Sequence, residues 1–298
     1  VYLDSLERQS IAGSIDSAVE RLSDSYLTIV AKTDFVSVED ESIRATNAAY
    51  TDAIERHIAP IHTGTIRHIQ MPFHAVALPS HATSGIPSQI PGRVDLGFLQ
   101  SYSDVENHLT FLTGGMASHV VQRGTQGPMV EAIVSDVLAE GFDGLSVGDV
   151  VTLTPSGSDP VRISVRIVGI FEPTDSTEDY WQGDAEPFVN PRRPPNPEGT
   201  DIEIEPLVLG MFVTENALVE SVGSAFPGAV VDSTWYGAID KEILKTWSSG
   251  ELRRRMDGLS EELDLSLPGS TMFSGIITLL LKFERSSFLA SVPLLLLM

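Results

Sequence analysis

The sequence predicts an α+β fold in which a split α/β subdomain is interrupted by a β-rich insertion. Three observations carry this. Helical periodicity alternates with short strand-like runs at both ends of the chain. The middle is dominated by strand patterns and turn residues. An uncharged run, FLASVPLLLLM from Phe288 to Met298, closes the sequence. The boundaries read as 1–93 and 223–284 for the α/β subdomain and 94–222 for the insertion. Residues 285–298 read as the start of a transmembrane helix. A spanning helix takes about 20 apolar residues, so the run reads as its beginning. With Val1 in first place, both ends read as cut. No basic segment followed by an apolar stretch opens the chain, so if the body lies outside the cell an upstream segment must export it.

The elements follow in order. Leu3, Leu6, Ile11, Ile15, Val19 and Leu22 recur at helical spacing and predict a helix over 3–22. Residues 26–32 read as a strand, and 38–58 as a second helix ended by Pro60. Alternation through Ile61, Ile66, Ile69, Phe73 and Val76 predicts strands, and the Pro/Ser/Gly-rich stretch 79–92 a loop. Strands are expected at 94–102 and 109–112, the latter broken by Gly114-Gly115, and 130–138 reads as strand running into helix. Residues 150–153 and 161–171, flanking Pro155 to Asp159, form the clearest hairpin pattern, fed by a turn at Gly148-Asp149.

Residues 172–206 hold seven of the eighteen prolines and cannot pair as a central strand. A strand at 207–213 leads to Thr214, a good N-cap for a short helix ending at Gly223. Another strand is expected at 230–235. A helix over 240–263 follows, with Leu244, Trp247, Leu252, Met256, Leu259 and Leu263 inward and Arg253, Arg254 and Arg255 on its wet side. A last helix is expected from Ser270 through Ile276 and Leu281 into the terminal run. No internal repeat is visible.

Composition excludes several functions. At 298 residues and 42% hydrophobic, the chain can build a real core. Its net charge of −22, from 19 basic and 41 acidic residues, argues against nucleic acid, which needs Lys/Arg patches. It argues equally against a polybasic face on anionic lipid; a solvated acidic surface is the simpler account. There is no cysteine, hence no disulfide and no thiolate zinc site. Neither a G-x-x-x-x-G-K-[ST] phosphate loop nor G-x-S-x-G is present.

The seven histidines all lie between His57 and His119, and His62, His68 and His74 are spaced to share one face of an extended region. They contain no i, i+4 pair on a helix, so surface and packing roles are the stronger account. Glu178, Asp179, Asp184 and Glu186 surround Tyr180-Trp181, but without the alternating oxygen ligands and central Gly of a calcium loop. They read as a solvated loop with an aromatic anchor, whose Tyr180 and Trp181 either pack back on the body or meet a partner. Trp235 and Trp247 sit on apolar faces and read as core. No catalytic, cofactor-binding or metal-ligating residue is expected, and the chain does not read as an enzyme.

From Gly144 to Phe171 the chain resembles a known family. GLSVGDVVTL followed by VRISVRIVGIFEP is similar to the extracytoplasmic domain of FtsX-like, MacB-type ABC transporter permeases. HLTFLTGG, GPMVEAIVSDVLAEGF, DYW and STWYGAID match the same pattern, and LLLKFERSSFLASVPLLLLM resembles the return into a second transmembrane helix. Together these cover about two-thirds of the chain. GGMASHVVQRGTQG departs from the family's turn, and the proline-rich loop has no assigned counterpart.

The resemblance implies a porter-like α/β part near the membrane and a β-rich part farther out. It also implies a cell-membrane permease, generally dimeric, with this domain extracellular or periplasmic and a separate cytoplasmic ABC ATPase as partner. ATP-driven motion would then export or extract a lipid, lipoprotein or peptide. Two other classes remain open on sequence: a membrane-anchored binding or adhesion module, and a tethered metal-dependent hydrolase using the histidine-rich region.

Overall fold

The computed structural model describes residues 2–22, 24–79, 95–124, 127–142, 144–154, 161–191, 208–226, 228–267 and 269–282. The chain begins with α1 (Tyr2–Leu22), β1 (Ile29–Ser37), α2 (Asp40–Ile58), β2 (His62–Gln70) and β3 (His74–Ala77). Then come β4 (Leu96–Tyr102), β5 (Leu109–Gly114), β6 (Gln122–Gly124), β7 (Gly127–Ser135), α3 (Asp136–Gly141), β8 (Val150–Thr154) and β9 (Ile163–Pro173). Next are α4 (Glu186–Val189), β10 (Val208–Phe212), α5 (Glu215–Ala225), β11 (Val230–Ile239), α6 (Lys241–Leu244), α7 (Ser249–Ser266) and β12 (Thr271–Ser274). A final helix, α8, occupies 275–282. The fold is mixed α+β.

Two compact units share these elements. The first comprises Val1–Asp34, Arg44–Ile66 and Thr234–Met298, and the second Phe35–Ile43 and Arg67–Ser233. The sequence reading set the divisions at 93/94 and 222/223; in the structure the chain crosses between the units at 34/35, 43/44, 66/67 and 233/234. Residues 74–77 fall in the second unit because β3 pairs there with β4 and β8.

In the second unit, strands pair in the order β4, β3, β8, β9, β7, β10, and β10 then pairs in parallel with β4. The six strands therefore close into a ring, which leaves none of them as a bare edge. Along β9 burial alternates, with Ile163, Val165, Ile167 and Phe171 inward. Val151 and Leu153 of β8, Leu209 and Met211 of β10, and Val130 and Ala132 of β7 complete the filling. The expected hairpin is present as the antiparallel pair β8–β9, with Leu153 opposite Ile163 and Val150 opposite Arg166; its turn residues 155–160 lie outside the described residues. So do 80–94 and 192–207, the cores of the two expected proline-rich loops.

The strand β5 ends at Gly114, whose φ of 78° suits glycine, as the Gly-Gly break predicted. Thr214 caps α5 by accepting from the Ala217 amide at 3.4 Å. The helix does not stop at Gly223, however, but runs on to Ala225. A Cβ on Gly223 would stand 3.2 Å from Val38 Cγ1, so the glycine permits close packing inside a helix rather than ending it.

The first unit has strand order β2, β11, β1, β12. Ile29 and Ala31 of β1, Trp235 of β11, Ile54 and Ile58 of α2, and the inward face of α7 form its core. Several predicted elements are corrected here. β1 starts at Ile29, after a 3-10 turn over Asp24–Leu27. The expected helix over 240–263 is two helices. Asp240 caps α6 by accepting from the Glu242 and Ile243 amides at 2.8 and 3.1 Å. Ser248 then caps α7, accepting from the Glu251 amide at 3.2 Å. Ser248-x-x-Glu251 is a capping signature, and it starts a new helix inside the hydrophobic period.

The last helix begins at 275 rather than at Ser270, because 271–274 alternates outward and inward as a strand. That strand, β12, runs antiparallel to β1, with Ile29 opposite Ser274 and Lys32 opposite Thr271. Arg255 is not on the wet side: its guanidinium lies 4.6 Å from the Trp247 ring centroid and donates to the His57 carbonyl at 2.9 Å. Arg254 is exposed. Among the described residues no helix is long and apolar enough to cross a membrane; the run 288–298 lies outside them.

Candidate functional site

Four helices of the first unit meet at an apolar cleft. Ile11 and Ile15 of α1, Leu244 of α6, Leu252 of α7, and Ile276 and Leu280 of α8 line it, with Ser14 as a polar wall. The pairs 11/15 and 276/280 are each one helical turn apart, so each helix presents one face to the cleft. All six apolar side chains belong to the unit's core cluster. Ile276 and Leu280 are 1% and 5% exposed, and burying such side chains is worth about 1.5–3 kcal/mol each.

At the cleft's rim Lys245 Nζ lies 2.5 Å from Asp16 Oδ1 and 2.8 Å from Glu242 Oε1, linking α1 to α6. Hydrogen bonds to Asp16 and then Glu242 hold the ammonium pKa above its ordinary value. The cleft offers no converging set of polar groups for chemistry. Side chains of α1 and α8 thus pack with those of α6 and α7 around the same cleft.

The histidines do not converge. His57 Nε2 is 2.7 Å from Glu262 Oε2, and Arg56 pairs with the same carboxylate. Burial, then Arg56 and Arg255, pull the His57 pKa down. His62 bonds Thr65 Oγ1 at 2.8 Å in the first unit. In the second unit, His68 bonds Gln100 Oε1 at 3.2 Å and stacks on Tyr102 at 4.0 Å. His74 Nδ1 donates to the Pro72 carbonyl at 2.7 Å. The shared face expected of His62, His68 and His74 is therefore divided among three separate sets of partners. Burial lowers the pKa of both His62 and His74. His119 is exposed, and His81 lies outside the described residues. Among the described residues no three His, Asp or Glu side chains gather as a metal site would require.

The acidic loop is likewise spread over turns. Glu178 Oε1 meets His108 Nδ1 at 2.9 Å, while Asp184 Oδ1 accepts from the Glu186 amide at 3.0 Å. Asp179 opens a 3-10 turn whose carbonyl accepts from the Gln182 amide. Trp181 is fully buried against Tyr102, Tyr180 and Phe188. Tyr180 donates to the Ser103 carbonyl at 2.9 Å. Of the two roles the sequence left open, both aromatics take the first and pack back on the body.

One polar arrangement carried no sequence signal. Arg67, with only 12% of its side chain exposed, donates through Nη1 to Glu215 at 3.1 and 3.4 Å. Its Nε and Nη2 are buried without a hydrogen-bond partner among the described residues. Burial lowers the guanidinium pKa and Glu215 partly offsets this.

No family model and no curated protein matches the chain. Among solved structures, the chain is similar to a domain assigned to a permease protein from Porphyromonas gingivalis. The identity is 12%, over 84% of this chain and 87% of that one, with a TM-score of 0.33. A likeness of that order carries no argument about function.

Proposed function

We propose that this chain is the extracytoplasmic domain of an FtsX-like, MacB-type ABC transporter permease. In that role it works in a dimeric permease with a separate cytoplasmic ATPase, and couples ATP-driven motion to export or extraction of a lipid, lipoprotein or peptide. The observation that carries the reading is the shared cluster of α1 and α8. The first and last described helices pack on one another's partners around a single apolar cleft. In a domain carried between two membrane helices, that arrangement lets both inputs act on one packed core. The sequence adds an uncharged run after α8, and the motif order from Gly144 to Phe171. The site is mechanical and the chain is not an enzyme.

The absence of cysteine makes the test direct. Asp52, exposed on α2, is replaced by Cys in the cell-expressed protein, and intact cells are treated with a membrane-impermeant maleimide. Labelling of intact cells is the expected result. Labelling only after lysis places the domain inside the cell and overturns the reading.

A further inference from the structure

The stretch from Leu265 to Leu281 contains no charged residue, in a chain where 19 basic and 41 acidic side chains give a net −22. Three large apolar side chains in it face solvent: Leu265 at 76% exposure, Phe273 at 62% and Leu281 at 50%. They lie on three successive elements of the first unit, at the end of α7, on β12 and near the end of α8. β12 is also the last strand in the sheet order among the described residues. Edge strands in soluble proteins are normally guarded by Lys, Pro or an inward charge, and Thr271-Met272-Phe273-Ser274 has none of these. Met272 points into the core cluster, so Phe273 necessarily points out.

We propose that this charge-free segment rests on a lipid surface, with Leu265, Phe273 and Leu281 buried at the boundary between headgroups and acyl chains. The inference rests on the permease reading and names the partner of its membrane-facing side. Charge chooses the occupant. The segment's own lack of charge suits a zwitterionic interface, which asks for no counter-charge, whereas a strongly charged partner surface would find nothing on it to pair with. In sequence the segment is followed by Lys282, Glu284 and Arg285 and then by the uncharged run Phe288 to Met298. Interfacial segments commonly seat their apolar side chains about 5–10 Å into that boundary.

The test places a fluorophore at the exposed position. Phe273→Trp in the full chain is mixed with phosphatidylcholine vesicles whose acyl chains are brominated near the headgroup. The native Trp181, Trp235 and Trp247 are 0%, 0% and 7% exposed and serve as the unquenched background. Flotation with the vesicles, together with about twofold quenching of the introduced indole, is expected of an interfacial side chain. Flotation without quenching overturns the lipid contact while leaving the permease reading intact. A blue shift that instead grows with protein concentration, without lipid, gives the surface to a second copy and also overturns it. Failure to float at all removes both the contact and the membrane-anchored reading beneath it.

Discussion

Tyr180 lies flat on His108, with ring centroids 3.7 Å apart and planes 11° from parallel. The same imidazole pairs with Glu178, and the Tyr180 hydroxyl donates to the Ser103 carbonyl. An acidic segment is thus fastened to the second unit by one stacked pair and two polar bonds. Burial, then the negative charges of Asp104, Glu106 and Glu178, push the phenol pKa up. Tyr180→Leu removes both stack and bond, and a loss of about 1–2 kcal/mol is expected. Tyr180→Phe keeps the stack and should lose about 1 kcal/mol or less. Native-state hydrogen exchange at the Trp181 and Gln182 amides reads the difference: faster exchange in the leucine variant than in the phenylalanine one. Equal exchange in both would mean that Trp181 alone holds the segment.

Tyr50 is the corresponding buried phenol of the first unit, 1% exposed and stacked on Trp235 at 5.0 Å. Burial pushes its pKa up to about 12 from an ordinary 10.0. The folded state therefore holds this proton more tightly than the unfolded chain. Its stabilising contribution is complete below about pH 10 and is lost as pH rises toward about 12, at most about 2–3 kcal/mol. Urea midpoints measured on either side of that window should fall for the native chain. Tyr50→Phe, which has no proton to lose, should fall less. A parallel decline in the two proteins would show that Tyr50 does not contribute to alkaline unfolding.

Arg67 and Glu215 pose a different balance. A buried guanidinium with two unpartnered nitrogens pays a desolvation cost that one half-exposed carboxylate repays only in part. Arg67→Met replaces the stem with an apolar chain and should change stability by less than about 1 kcal/mol, in either direction. Glu215→Ala leaves the cation without its counter-charge and should cost more, about 1–2 kcal/mol after allowing for Glu215's exposure. The double variant should resemble Arg67→Met, because the lone buried charge is then gone. Denaturant midpoints of the three variants check the order; a Glu215→Ala loss no larger than that of Arg67→Met would show the ion pair is inert.

What the sequence could reveal tracks the range of the interactions involved. Periodicity is local, so α1, α2, β4, β5, β7 and the β8–β9 hairpin were legible from residue type and spacing. β12 was not, since four residues between leucine-rich helices give too short an alternation to outweigh the helical period. The break between α6 and α7 was hidden for the same reason, although Ser248 and Glu251 carried a capping signal. Closure of the ring depends on β10 pairing with β4, whose partners Val208 and Leu96 stand far apart in the chain. Arg67 and Glu215 are 148 positions apart, and nothing in either neighbourhood marks them as partners. The junction of α1 and α8 was visible only as two apolar stripes; that both enter one cleft is a property of the packing.

That junction supplies the sharpest functional expectation. Leu280 is 5% exposed and sits one turn from Ile276 on the inward face of α8. Leu280→Ala keeps the helix but opens a cavity, at a cost of about 2–5 kcal/mol. Leu280→Pro removes a backbone donor and kinks the helix, at about 3 kcal/mol or more, so the two variants have comparable stability losses by different means. If α8 transmits motion into the body, the proline variant should abolish transport in the full permease while its assembly with the ATPase persists. The alanine variant, with an unbroken helix, should retain a measurable fraction. Leu281→Pro, one residue on at a half-exposed position, should uncouple in the same way, since it is the continuity of the helix that matters. Transport and co-purification of the ATPase, measured side by side in the three variants, decide the matter. Full transport in the proline variants would show that motion reaches the domain by another route.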